Sequence, residues 1–166
     1  MEQFDILGMN GEPTGRTADK GTALIDGEYY LGVHAYIYNS RGEFLLQQRS
    51  YDKAFLPGGW DIVLEHVIAG ETSKEGIIRG IKEEIGLSVP ENDVRFVKRF
   101  FWEIYHHIID VYFLQMDFDI NALKLQSTEV IAAKVVPKDE ILEMVSKMYY
   151  RPAEYRRDIA LEIKRL

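Results

Sequence analysis

The apolar positions of the chain change period several times along its length. Phe4 to Leu7 is a short apolar run that reads as an edge strand, and Tyr29 to Asn39 and Glu43 to Gln48 read as a strand hairpin across the Ser40-Arg41-Gly42 turn. Trp60 to Val67 alternates irregularly, as a strand that stops at Ala69-Gly70 would. The period then switches. Ile77, Ile78, Ile81 and Ile85 fall on one side of a helix predicted over Ser73 to Ile85. Thr72 or Ser73 is its N-cap, Glu75 completes a capping box with Thr72, and Gly86 stands at C′. Glu75 and Arg79 are spaced for an i, i+4 ion pair. Two aromatic and β-branched runs follow, Asp93 to Tyr105 and Ile108 to Asp117, read as paired strands around a turn at His106-His107. A strand at Val130 to Val136 precedes two helices. One spans Lys138 to Lys147 with Pro137 in its N1 neighbourhood, and the other, within Tyr149 to Leu166, carries a stripe of Tyr155, Ile159 and Ile163.

Strands, one helix, more strands and terminal helices predict an α/β sandwich with a mixed sheet, one domain over residues 1–166. The C-terminal stripe is suited either to this sheet or to a homodimer. Between the regular segments, Gly8 to Gly15 is dense in turn formers, and Thr17 to Gly27 is polar and reads as a connecting loop, or alternatively as one that reaches over a substrate.

Composition narrows the function. The 166 residues are 46 % hydrophobic and 28 % charged, as expected for a globular chain with a real core. A net charge of −7 argues against binding a nucleic-acid duplex, which calls for a basic face. There is no cysteine, so thiolate catalysis, zinc–thiolate sites and disulfides are excluded. No apolar run is long enough to span a membrane and no signal peptide is evident, so the expected location is cytoplasmic.

The candidate chemistry gathers in Leu56 to Leu87. Glu71 precedes the predicted helix, and Glu83 and Glu84 lie near its end. A solvated acidic helix face would look the same by charge alone. Carboxylates so gathered also suit hard divalent cations held against a phosphate.

This run resembles the Nudix box, G-x5-E-x7-R-E-U-x-E-E-x-G-U with U aliphatic, over residues 65–87. Glu71, Arg79, Ile81, Glu83, Glu84, Gly86 and Leu87 match seven of its nine fixed positions. The preceding Gln47-Gln48-Arg49, Pro57-Gly58 turn and Trp60-Asp61 are similar to Nudix proteins too, so the resemblance covers roughly Glu28 to Leu142. It implies a Nudix fold, an α/β/α sandwich, and hydrolysis of a diphosphate linkage in a small phosphorylated substrate with Mg²⁺ or Mn²⁺. By resemblance, Glu83 and Glu84 are metal ligands, Arg79 orients Glu71, and Glu129 is a further carboxylate from a late loop. The Asn10-Gly11-Glu12-Pro13-Thr14-Gly15 turn and His66 are similar to the isopentenyl-diphosphate-isomerase-like branch. Isomerase activity itself is not expected, because that branch's cysteine would fall near Leu64 and one of its histidine ligands near Tyr30.

Two positions depart from the box. Gly80 stands where a glutamate follows the arginine, and Glu65 stands where the first glycine should be. Glycine costs roughly 0.8–1 kcal/mol in a helix interior relative to Ala, so helix propensity does not account for it. The expectation is a helix face left bare at Gly76 and Gly80, by drift, by close packing of a neighbouring loop, or to leave room for a bulky substrate or another carboxylate. Glu65 is expected either to strain the backbone or to alter the turn, and its carboxylate to reach the metal in place of the missing one. The alternative is a catalytically impaired Nudix-fold module that binds or regulates. His106 and His107 are assigned to the turn, His66 is a candidate for the site, and Asp110 is preferred over Glu103 as an acid lining the cleft.

Overall fold

The computed structural model describes residues 1–166. The elements run β1 (Gln3–Leu7), β2 (Pro13–Asp19), β3 (Tyr30–Tyr38), β4 (Phe44–Arg49), β5 (Trp60–Asp61), β6 (Val63–His66), α1 (Ser73–Ile85), β7 (Val94–Trp102), β8 (His107–Gln115), β9 (Val130–Val136), α2 (Lys138–Ser146) and α3 (Ala153–Arg165).

β3 is the axis. Along one edge it pairs in parallel with β8, from Tyr30↔His107 to Tyr38↔Gln115. The other edge is divided. β6 takes Gly32 to Ala35 in antiparallel register, while β4 meets β3 only at Tyr38↔Phe44 and then runs with β9 and β5. The sheet therefore forks, with β6 on one prong and β4 on the other.

Alternation along β3 sends side chains to two cores. Val33, Ala35 and Ile37 face Ile77, Ile81 and Ile85 of α1. Tyr36 faces the opposite layer, with Ile141 and Val145 of α2 and Tyr155, Ile159 and Ile163 of α3. This is the expected α/β/α sandwich. The α3 stripe is spent within the chain, since Tyr155, Ile159 and Ile163 are 1 %, 0 % and 0 % exposed. It therefore offers no surface to a second copy.

Four local expectations change. Pro13 to Asp19 is a strand paired with β1, so the polar loop is shorter than read. Trp60 to Val67 is two strands, broken at Ile62 because its halves pair with different partners. His106 turns the β7–β8 connection with a left-handed backbone, φ 52°, whereas His107 is already in β8. Pro137 caps α2 rather than opening it.

Ile159→Ala should cost roughly 2–5 kcal/mol by leaving a core cavity, measured by denaturant unfolding. The unfolding midpoint should not depend on protein concentration. A midpoint that rises with concentration would return the stripe to an interface.

Candidate active site

The site is built where α1 crosses the β6 prong. Thr72 and Glu75 close a reciprocal capping box at the start of α1. That interaction uses Glu75, so the expected Glu75–Arg79 pair does not form. Arg79 instead donates from Nε and Nη2 to the two oxygens of Glu71, at 2.7 and 3.0 Å. It also donates to the His66 carbonyl at 2.8 Å and to Glu83 at 3.2 Å. A two-pronged guanidinium–carboxylate pair fixes both partners in one orientation. The loop before the helix, the end of β6 and the helix itself are thus tied by one side chain.

Gly76, Gly80 and Glu84 lie on one buried stripe of α1, Gly76 against Val67, Gly80 against Glu65 of β6 and Glu84 against Gln47 of β4. Space at Gly80 decides the arrangement. A Cβ there would stand 2.8 Å from the Glu65 Cβ and 2.9 Å from its Cγ. The Glu65 side chain fills the place a residue-80 side chain would occupy, so the helix face is not bare. Nor is Glu65 strained: it is an ordinary β6 residue opposite Val33, and the only non-glycine residues with positive φ are Leu56 and His106. Its Oε1 accepts the His66 N–H at 2.7 Å, and its Oε2 lies 3.5 Å from Arg79 Nη1.

Glu84 is 6 % exposed, and its one side-chain partner is the amide of Gln47, a neutral group, at 2.6 Å. Burial pushes its carboxyl up to about 8, against the help of that hydrogen bond, and Glu65 and Glu129 add repulsion. Burial also raises Glu65. Arg79, between Glu71, Glu65 and Glu83, is held more firmly charged than usual.

A cavity of 410 Å³ opens at the outer edge of β6, inside the fork. Glu65, Glu83, Glu84 and Glu129 line it together. Glu71 and Arg79 do not; they stand behind it. Glu83 is half-exposed and leans on Arg79, and Glu129 is ion-paired with Lys53. Arg49, Lys53 and Lys20 bring positive charge to the same walls. In the conformation described, no three His, Asp or Glu side chains converge as a ready cation cage. The donors are nevertheless the hard oxygens that Mg²⁺ and Mn²⁺ take. Two of them are desolvated carboxylates without a full countercharge. The set fits a divalent cation once Glu83 and Glu129 turn from Arg79 and Lys53.

Histidines occupy the other flank. His66 pairs with Gly32 and His107 with Tyr30, two residues along the same strand, and their Nε2 atoms meet at 2.9 Å. A Cβ on Gly32 would come within 2.9 Å of Ile109 Cδ1, so that glycine keeps the floor low. His107 Nδ1 contacts the Tyr105 carbonyl at 2.6 Å, which makes it the N–H donor and leaves Nε2 to accept from His66. Both rings are kept neutral by burial, His66 down at about 3. Placing His107 in the turn was therefore wrong; the parallel β3–β8 register brings it into the site. Asp110 is also corrected. It is 2 % exposed and gripped by Arg99 at 2.6 and 2.9 Å, away from the cavity. Sequence reasoning did not find Gln47, Lys53 or His34 as site residues. Gln47-Gln48-Arg49, a polar end to an apolar strand, was the one signal available.

A model of the NUDIX domain matches residues 28–158. An uncharacterized Nudix hydrolase of Listeria monocytogenes is 33 % identical over 153 residues, covering 92 % of this chain and 89 % of its own. An isopentenyl-diphosphate Delta-isomerase of Saccharopolyspora erythraea is 37 % identical over 91 residues, 54 % of this chain and 46 % of its own. Among solved structures, DR0079 from Deinococcus radiodurans superposes with a TM-score of 0.73 at 19 % identity, covering 99 % of this chain and 98 % of its own. No helix is long and apolar enough to cross a membrane.

The pKa shifts act on stability with opposite signs. Folded His34, His66 and His107 titrate below the ordinary 6.5, so stability rises with pH and is complete above that value. Folded Glu84 titrates near 8 against an ordinary 4.5, so the folded state holds the extra proton and stability falls as pH rises between them. From pH 6.5 to 8 the Glu84 effect is the larger. In chelator, the melting temperature should fall across that window, and Glu84→Gln should flatten the slope. An unchanged slope in that variant would contradict the assignment.

Proposed function

The chain belongs to the Nudix family, and on that premise we propose that it hydrolyses a diphosphate linkage in a small phosphorylated substrate, using Mg²⁺ or Mn²⁺ held by Glu65, Glu83, Glu84 and Glu129. The observation that carries this reading is the exchange at positions 65 and 80: the box glutamate is absent from the helix, and a strand carboxylate fills its space and lines the same cavity. When bound, the cation draws charge from the diphosphate and lowers the pKa of a water for attack on phosphorus.

The chain's own residues supply the rest. Burial holds the Glu84 carboxyl up at about 8, so Glu84 would release a proton on becoming a ligand. Arg79 is a positioning residue. It holds Glu71 and the end of β6, and it contacts both Glu65 and Glu83, which line the cavity. Arg49 and Lys53 offset the negative charge of the phosphates, which the acidic chain would otherwise repel. Lys53, paired with Glu129, would be free to reach them if Glu129 held the cation.

A module that binds a phosphorylated ligand without cutting it is the second reading. It is favoured by the engagement of Glu83 and Glu129 with Arg79 and Lys53. Reversing the exchange separates the two. Glu65→Gly should reduce metal-dependent phosphate or monophosphate release from a diphosphate panel at least 100-fold. Adding Gly80→Glu to that variant should restore turnover to within about 10-fold of wild type, because the carboxylate returns from the helix into vacated space. Turnover unaffected by Glu65→Gly would remove Glu65 from the metal site. Absence of wild-type turnover with both cations would favour the second reading.

A further inference from the structure

The carboxylates of the site are not all held in the same way. Glu65, Glu71 and Glu83 contact Arg79, and Glu129 is ion-paired with Lys53. Glu84 has no cationic partner. The group that holds it is the Gln47 amide, whose Nε2 donates to Glu84 Oε2 at 2.6 Å.

Gln47 has little freedom to move. It is 2 % exposed, and β4 is flanked on both sides at that residue, by Asp61 of β5 and Ala133 of β9. A side chain on a doubly paired strand is placed by the sheet rather than by a loop. Its Oε1 is sealed from solvent and has no hydrogen-bond partner. A buried amide left half-satisfied costs stability. A residue suited to packing alone would be apolar, like Phe44, Leu45 and Leu46 before it.

The two oxygens of Glu84 are not equivalent. Oε2 is occupied by Gln47. Oε1 has no partner in the chain and, unlike Gln47 Oε1, is not sealed. Glu84 lines the cavity and Gln47 does not, so Gln47 stands behind Glu84 and Oε1 is the oxygen presented to the cavity. A carboxylate bound to a cation is ionised and only accepts, so the amide must face it with nitrogen, as it does. A lysine or arginine in that place would compete with the metal for the same charge. A neutral donor fixes orientation without supplying a countercharge.

We infer that Gln47 is a positioning residue of the metal site. It holds Glu84 by Oε2, so that Glu84 binds the divalent cation through Oε1 alone and leaves no ion pair to do so. The inference rests on the reading of these carboxylates as a Mg²⁺ or Mn²⁺ site, and it adds the residue that orients one of them.

Calorimetric titration with Mn²⁺ alone, without substrate, compares wild type, Gln47→Met, Glu84→Ala and the double variant, each with its fold verified by near-ultraviolet circular dichroism. Methionine has nearly the volume of glutamine but no donor. Gln47→Met should bind Mn²⁺ about 10-fold more weakly than wild type. In the Glu84→Ala background the same substitution should change affinity by less than about 2-fold, because no carboxylate remains for Gln47 to orient. An equal loss in both backgrounds would mean that Gln47 acts through the fold, and would overturn the inference. Crystals of wild type soaked in Mn²⁺ give a second test that needs no variant. Coordination through Glu84 Oε1, with Oε2 still on Gln47 Nε2, is expected. Coordination through Oε2 or through both oxygens, or an amide that has left Glu84, would overturn it. Binding by wild type with unaltered affinity in Gln47→Met overturns the Gln47 inference alone. Absence of Mn²⁺ binding by wild type overturns the metal reading, and this inference with it.

Discussion

Side chains at positions 65 and 80 compete for one volume. The β6 strand and α1 approach so closely that a Cβ on Gly80 would overlap the stem of Glu65. Either the helix or the strand can present a carboxylate there, but not both in this packing. The approach is maintained by Arg79, whose guanidinium binds the loop carboxylate of Glu71, the last carbonyl of β6 and Glu83 one turn along the helix. Glu65, Glu71 and Glu83 take their positions from that contact. The fork in the sheet leaves the outer edge of β6 open, and the cavity lies along it.

The electrostatics follow from the same packing. Glu84 is buried against a neutral amide and Glu65 is buried beside it, so the pair is costly to ionise without a cation. Desolvated carboxylates that face a cavity store repulsion that a divalent ion relieves. On the opposite face of β6 the polar groups are neutral or internally compensated: His66 with His107, His34 with Tyr155, Arg151 with Asp61. One cavity therefore joins an end lined by desolvated carboxylates to an end whose polar groups are neutral or compensated within the chain.

The parts legible in the sequence are those governed by local interactions. The α1 boundaries came from the capping box, the isoleucine spacing and Gly86, all within one helix length, and they agree with the structure residue for residue. The α/β/α class followed from the order of periods. The parts that could not be read depend on partners distant in sequence. Nothing local to Trp60–Val67 says that its halves join different prongs of a fork. The place of His107 is set by its parallel register with Tyr30, and Glu75 has two compatible uses, of which the cap prevails. The departures at Glu65 and Gly80 were visible as departures. That they are one event, a side chain moved across a contact, needed the distance between β6 and α1.

The proposed metal site depends on Glu65 in place of the absent helix glutamate. Anomalous diffraction from crystals soaked in Mn²⁺ tests this directly. A peak is expected inside the fork, within coordinating distance of carboxylate oxygens of both Glu65 and Glu84. A Mn²⁺ peak coordinated without Glu65, or no peak in the cavity at saturating Mn²⁺, would contradict it.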